Sequence, residues 1–316
     1  MKVPVSLLKL IKENRRFLIV SHINPDGDAA GSVIALAMGL KKLGKSVYAL
    51  CKDPVPHIYR FLPGSDLIKS RVPSSKFDAV LLLDCNSFKR TGFKELQAEA
   101  IGVIDHHLTA GKDPWRVNFL DPDVSATAEL VYALLKALRV PIDKKMALNL
   151  YTAIFTDTGG FRYSNTNVKT LEIASELMKK GVNAWEISKE VYESYPYKRQ
   201  KLLILVLATL EKRGRIASVT VTRNMYKKTN TTAEDTEDFV NHARKIKGVE
   251  VGILFRETGK NKYKISLRSK GSIDVANVAK GFGGGGHASA AGLTVDGTLK
   301  EVKSRVFKAV RKAIKE

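Results

Sequence analysis

The sequence predicts an α/β protein in three parts. An N-terminal doubly wound parallel sheet covers residues 1–190, a connector helix 191–214, and a smaller C-terminal α/β domain with a glycine-rich motif 215–316. Three observations predict this. Short apolar runs (FLIVS, AVLLL, IGVI) alternate with helical patterns in the first half. These runs end in segments bearing Asp or His, as parallel strands do where their carboxyl ends gather at a ligand-binding edge. From Arg215 the pattern changes to strand-like runs, in a chain of 316 residues that can hold two cores.

The elements follow in order. Residues 17–21 form a buried strand, and residues 29–43 a helix that Asp28 caps and Gly44 ends. Strands are expected at 46–50, 79–84 and 101–104; the second is continuously apolar, as central parallel strands are. Helices are expected near 125–138, 144–155, 167–180 and 184–192. The stretch 192–210, interrupted at Pro196 and otherwise helical, links the domains. Beyond it, strands are expected at 216–222, 249–256, 263–269 and 290–295, with helices around 233–245 and 299–314. Val302, Val306, Val310 and Ile314 share one face of the last.

Hydrophobic residues at 44% and charged residues at 27% are ordinary for a globular protein. The longest apolar run, 202–210, is too short to span a bilayer. The N-terminal stripe lacks the apolar core and cleavage site of a signal peptide. Cys51 and Cys85 show no pairing pattern, which fits a reducing compartment, so a cytoplasmic protein without membrane association is expected. Cys85 is also a candidate soft metal ligand beside Asp84, although its neighbours are hard oxygens. The net charge of +21 suits a polyanionic partner such as nucleic acid or nucleotide; it equally suits a lysine-rich surface serving solubility or heat tolerance.

Four segments carry the chemistry. In HINPDGD, a tight turn can aim His22, Asp26 and Asp28 at one small volume, though a plain Asp cap beside a histidine reads as well. Asp84 closes LLLD at a strand's end, where a lone Asp is often a helix cap. Asp105, His106 and His107 follow IGVI directly; adjacent imidazoles there have no packing purpose, and one beside a carboxylate is poised for metal or proton work. Asp157 lies in TDTGG, where Gly159 and Gly160 allow close backbone approach. Carboxylates and imidazoles gathered at one edge repel or stay unsatisfied without cations between them. The simplest account is a divalent-metal hydrolase, and mixed imidazole and carboxylate donors favour Mn²⁺, Fe²⁺, Co²⁺ or Zn²⁺ over Mg²⁺.

Asp105, His106 and His107, with HxxxDxD upstream at 22–28, resemble the signature of the DHH phosphoesterase superfamily. GGGGH, ending on His287, resembles the glycine-rich motif of the DHH-associated domain. The motifs span residues 22–287, nearly the whole chain, and its length matches the stand-alone branch of NrnA-like nanoRNases, pAp phosphatases and cyclic-di-AMP or pApA phosphodiesterases. The resemblance implies a DHH catalytic domain over 1–190 and a DHH-associated substrate-binding domain over 215–316. It implies two divalent cations, Mn²⁺ foremost, with His22, Asp26 and Asp84 holding one and Asp28, Asp84, His106 and Asp157 the other. By the same resemblance Asp84 would bridge them, and a water or hydroxide between the ions would be the nucleophile. His107 would face the scissile phosphate, stabilising charge or donating a proton, and Asp105 would orient a ligand histidine. The SATAELV segment at 125–131 resembles a stretch beside the active site, but reads alone as a helix capped by Ser125.

Consecutive glycines expose backbone N–H groups to phosphate or base, and a basic strand, YKISLRSK, precedes them. The resemblance makes Arg268, Gly284, Gly285, Gly286 and His287 substrate contacts. The implied activity is hydrolysis of short RNA or dinucleotides to 5′-mononucleotides. A RecJ-like single-strand exonuclease is the alternative, for which the chain is short and lacks an aromatic-rich domain to stack a strand. A DHH-type pyrophosphatase is disfavoured by GGGGH. A nucleotide-binding protein without turnover is disfavoured by the complete ligand set. A homodimer fits the size and family.

Overall fold

The computed structural model describes residues 1–74, 76–93, 96–107 and 116–315, with only the backbone of Arg116, His287 and Lys315. The chain divides into two compact units, Met1–Ser194 and Tyr195–Glu316. In the first, the order is α1 (Val5–Glu13), β1 (Arg16–Val20), α2 (Gly27–Lys42), β2 (Ser46–Leu50), β3 (Ile68–Lys69), β4 (Phe77–Leu83), α3 (Phe88–Thr91), β5 (Ala98–Asp105) and β6 (Arg116–Leu120). The helices α4 (Thr127–Ala137), α5 (Lys144–Asp157), α6 (Val168–Met178) and α7 (Ala184–Tyr192) complete it.

The first sheet has six strands in the order β3-β2-β1-β4-β5-β6, with every pair parallel. The chain order reverses between β1 and β4, and in such sheets the crevice beyond the carboxyl ends at that switch point receives ligands. Both faces are buried, which is why the strands read as continuous apolar runs. Phe17, Ile19, Leu81 and Ile104 pack in one cluster with residues of α1, α2, α4 and α5. Leu18, Val20, Val80, Leu82 and Val103 pack in another with Phe88, Phe93 and Leu96.

Two glycines fix how α2 meets α5. A Cβ on Gly27 would lie 2.3 Å from Thr156 Oγ1, and one on Gly31 would lie 2.4 Å from the Asn149 carbonyl oxygen. The helices therefore cross at backbone contact, which sets Asp28 on α2 against Asp157 at the end of α5. Any side chain at Gly31 would push the two apart.

The second unit holds α8 (Tyr197–Leu207), β7 (Glu211–Arg213), β8 (Ile216–Val221), α9 (Arg223–Thr229), α10 (Phe239–Arg244), β9 (Val251–Gly259) and β10 (Lys262–Ser269). It ends with α11 (Val275–Lys280), β11 (Gly285–His287), β12 (Ala290–Asp296) and α12 (Leu299–Lys315). Its sheet runs β11-β12-β10-β9-β8-β7, with β8 and β9 parallel and the other pairs antiparallel. Val302, Val306 and Val310 of α12 pack on Ile253, Phe255 and Ile265, while Phe239 and Val240 pack with Val219 and Leu254.

The stretch 191–214, expected as a connector helix, is more divided. Pro196 starts α8, whose Leu202 and Val206 join the second unit's core, and Glu211–Arg213 is already a strand of that unit's sheet. The Arg199 side chain anchors α8: it lies 3.6 Å from the Tyr195 ring centroid and donates to the Glu237 carbonyl at 2.7 Å. No helix among the described residues is long and apolar enough to cross a membrane.

Candidate metal centre

His22, Asp84 and His106 all lie just past strand ends, on β1, β4 and β5 respectively. The HINPDGD turn is pinned at Asn24, which sits at φ 52° and donates its N–H to Asp53 Oδ2 at 2.8 Å. Asp84 also has a positive φ, 55°, a conformation that Asp and Asn tolerate better than most residues.

Asp28, expected to cap α2, does not. Asp26 is that cap, accepting from the Ala29 N–H at 3.0 Å. Asp28 lies in the first turn, two residues on, and caps α4 across space, accepting from Thr127 N at 2.7 Å and Ala128 N at 3.0 Å, with Ser32 Oγ donating at 3.0 Å. Ser125 is correspondingly not the cap of α4; the N-cap is Ala126, without a side-chain bond, and the Ser125 hydroxyl goes to Glu129. The α4 N-terminus suits a carboxylate through both its unpaired N–H groups and its dipole.

Three overlapping groups of donor atoms result, each within 4.8 Å: His22–Asp26–Asp84, Asp28–His106–Asp157, and Asp84–His106–His107. His22 Nε2 lies 3.1 Å from Asp84 and 4.0 Å from Asp26. His106 Nε2 lies 3.6 Å from both Asp84 and Asp157 and 3.9 Å from Asp28. Both rings spend Nδ1 on a carbonyl, His22 on Ile23 at 2.8 Å and His106 on Val124 at 3.3 Å. Since a carbonyl only accepts, Nδ1 carries the hydrogen and Nε2 faces the carboxylates, as metal-binding histidines are usually arranged.

The charges conflict without cations. Burial alone lowers the His22 pKa, but the Asp84 hydrogen bond and the Asp26 and Asp84 charges outweigh it and lift it to about 9. Burial likewise works against His106, and the charges of Asp157, Asp84 and Asp28 lift it to about 9. Burial, then the negative charges of Asp84 and Asp157, pushes Asp28 well above its ordinary value. Burial works against ionised Asp84 too, yet the His22 hydrogen bond and the nearby imidazoles hold it below the usual carboxylate range. Protons therefore stand where the donor set suits divalent cations: hard oxygens and imidazole nitrogens, with Asp84 reaching both His22 and His106.

His107 plays a different part. Its Nδ1 is 2.5 Å from Asp105 Oδ1, its backbone N–H donates to the same oxygen at 3.2 Å, and its Nε2 is 3.3 Å from Arg90 Nη2. Asp105 was expected to orient a ligand histidine; it orients His107, whereas the Val124 carbonyl orients His106. Asp105 is fully buried, and its Oδ2 has no hydrogen-bond partner among the described residues. Cys85 belongs to none of the three groups, and burial raises its thiol well above the ordinary value. Sequence reasoning passed over Thr127, whose hydroxyl donates to Asp84 at 3.0 Å. Nothing in the sequence spacing singles out Arg90 either. The signal for Thr127 was the SATAELV segment, read as an ordinary helix start.

In the second unit, the register puts Arg268 of β10 opposite Ala290 of β12, and Ala290 opposite His287 of β11. The His287 side chain lies outside the described residues. The glycines expected to touch substrate separate by cause. A Cβ on Gly284 would lie 2.3 Å from the Gly292 carbonyl oxygen; Gly286 has φ 148°, and its Cβ would lie 2.3 Å from the Ala290 carbonyl oxygen. Strand pairing explains both. Gly285 has nothing within 4 Å of its Cβ position.

Residues 16–154 match the DHH family, N-terminal domain, and residues 214–316 match the DHHA1 domain. The chain belongs to the DHH family. It is 34% identical to the bifunctional oligoribonuclease and PAP phosphatase NrnA of Thermus thermophilus, over 94% of this chain and 89% of that protein. It is 26% identical to the protein of the same name from Bacillus subtilis, over 92% of each chain. The crystal structure of an exopolyphosphatase-related protein from Bacteroides fragilis superposes with a TM-score of 0.88 at 31% identity, covering 97% of this chain and 95% of that one. The DHH-family chain is thus a hydrolase that acts on phosphodiester bonds.

Proposed function

We propose that this DHH-family hydrolase cuts very short oligoribonucleotides and linear dinucleotides such as pApA to 5′-mononucleotides, with pAp and cyclic-di-AMP as further substrates. The observation that carries the reading is Asp84, whose two oxygens reach both imidazoles of a carboxylate cage at the switch point of the sheet. Likeness to oligoribonuclease and PAP phosphatase relatives over most of the chain supports the choice of substrate.

His22, Asp26 and Asp84 would hold one cation, and Asp28, Asp84, His106 and Asp157 the other, with Mn²⁺ the expected ion. When bound, two such ions supply charge to clamp phosphate oxygens and to make a water nucleophilic near neutral pH. The chain's own groups do the rest. The Asp105 carboxylate holds the His107 ring, whose Nε2 accepts from Arg90, and Arg90 keeps further N–H groups suited to a phosphoryl oxygen. In the second unit Arg268 and the backbone at Gly285 are assigned to the substrate, with His287 beside them in the ladder. An intracellular place fits such substrates.

A ladder of pAp, pApA, cyclic-di-AMP, a five-residue RNA and a 24-residue single strand, incubated with Mn²⁺, tests the proposal. AMP forming fastest from the shortest linear substrates is the expected result. Preference for the 24-residue strand would move the protein to the exonuclease branch, and no turnover of any would overturn the proposal. Gly285 gives a second test. Because its Cβ position is open, Gly285→Ala is expected to leave the melting temperature unchanged. If a phosphate or base approaches that backbone, KM for pApA should rise by about tenfold, the equivalent of about 1.4 kcal/mol. Unchanged KM would remove Gly285 from the substrate site.

A further inference from the structure

Glu129 is fully buried in the first turn of α4, and no ion pair to it is found among the described residues. Its Oε2 has no hydrogen-bond partner among them either. Its Oε1, by contrast, collects three donors: the Ser125 hydroxyl, the Ser125 N–H at 3.2 Å, and the Thr170 hydroxyl at 2.8 Å. Burying a carboxylate half-satisfied is costly. An apolar residue would fill the same space at less cost if packing were its whole purpose.

What Oε1 fixes is the segment 124–128. Thr170 ties that segment to the start of α6. Two asparagines on the same side brace it further. Asn165 Nδ2 donates to the Ser125 carbonyl at 3.1 Å and to the Asp157 carbonyl at 3.2 Å, and Asn167 Nδ2 donates to the Asp123 carbonyl at 3.2 Å.

The segment in turn touches one group of ligands far more than the other. The Val124 carbonyl orients His106, the Thr127 and Ala128 N–H groups hold Asp28, and Asn165 bridges Ser125 to Asp157. All three members of the Asp28–His106–Asp157 group lean on it. Neither His22 nor Asp26 does: the first bonds its neighbour Ile23 and the second caps its own helix. Asp84 is shared, through the Thr127 hydroxyl.

We infer that Glu129 is a positioning residue for the second cation: by clamping Ser125 it holds the segment that shapes the Asp28–His106–Asp157 group. The inference rests on the reading of the cage as a two-cation site. It makes the two ions unequal in a way that loss of general stability would not.

The test is Mn²⁺ binding to full-length protein, followed by electron paramagnetic resonance of free Mn²⁺ and by calorimetry, with Asp26→Asn and Asp157→Asn as markers for the two sites. Glu129→Ala is expected to weaken the site marked by Asp157→Asn by about 10–100-fold, the usual effect of removing a support behind a ligand. The other site should stay within about threefold of wild type. Glu129→Gln, which keeps an acceptor oxygen for Ser125 and Thr170, should restore most of the loss. Ser125→Ala should shift the same site in the same direction by less, and it decides the matter if Glu129→Ala does not fold. A lower melting temperature with both affinities unchanged, or both sites weakened equally, would overturn the inference. Wild-type protein that binds no Mn²⁺ would overturn the two-cation reading itself, and the inference with it.

Discussion

Asp84→Asn is expected to lower kcat/KM on pApA by more than about 1,000-fold, beyond the 10–100-fold typical of residues that only support a ligand. Asp84 is nearly fully buried and takes hydrogen bonds from His22 and Thr127, while His106 and His107 lie 3.6 and 3.5 Å away. It is the one carboxylate common to two of the three groups. Asparagine keeps the shape but replaces one oxygen with an NH₂, which aims a donor at a place suited to a cation and removes the shared charge. Asparagine is a better probe than alanine, because at φ 55° alanine would add backbone strain to the loss of a ligand. Stoichiometric Mn²⁺ titration should fall from two ions toward one. Steady-state kinetics beside a circular-dichroism melt separate the outcomes. Activity within tenfold of wild type in a folded variant would remove Asp84 from the centre of the reaction.

Where burial was two-sided, the fold was legible in the sequence. The strands β1, β4 and β5 announced themselves as apolar runs because both faces of the sheet are covered. The edge strands gave no such signal. The two residues of β3 pair only with the end of β2, and RVNFL of β6 is short and mixed. In the second unit α9 and α11 are six or seven residues long, too short to show a helical period, and each depends on a cap, Thr222 or Asp274, that reads like any turn residue.

The site was legible as a set of residues and not as an arrangement. His22, Asp26, Asp28, Asp84, His106 and Asp157 were all named from four segments, and folding brings them into groups within 4.8 Å. What pattern reasoning could not see was who holds whom. Asp28 caps a helix 99 residues away, and the Val124 carbonyl orients a histidine 18 positions earlier. Local rules assign a cap to the nearest helix, so Asp28 was given to α2 and Ser125 to α4. The glycines show the same limit: GFGGGGH reads as one phosphate cradle, yet of the three glycines assigned to substrate Gly284 and Gly286 answer to strand pairing, and Gly285 is left with an open Cβ position.

Mn²⁺ is expected to raise the melting temperature far more at pH 8.5 than at pH 6.5. In the metal-free protein the His22 and His106 pKa values stand at about 9, against an ordinary 6.5. Groups raised in this way contribute stability that is fully present below about 6.5 and is lost as pH rises through about 9. The metal-free protein should therefore melt at progressively lower temperature across that window. Asp28, raised by burial and by the charges of Asp84 and Asp157, loses its contribution in the same direction, starting from lower pH. Cations require the opposite state, with neutral imidazoles and ionised carboxylates. Below about pH 9 each ion must displace a proton from its histidine, which weakens binding by about tenfold per pH unit for each such group. Affinity and the metal-induced rise in melting temperature should climb together from pH 6.5 to 8.5, and binding near pH 7.5 should release about one proton per imidazole. Calorimetry in two buffers of different ionisation enthalpy measures that release. Binding that is independent of pH and frees no protons would mean that His22 and His106 are not ligands, whatever the carboxylates do.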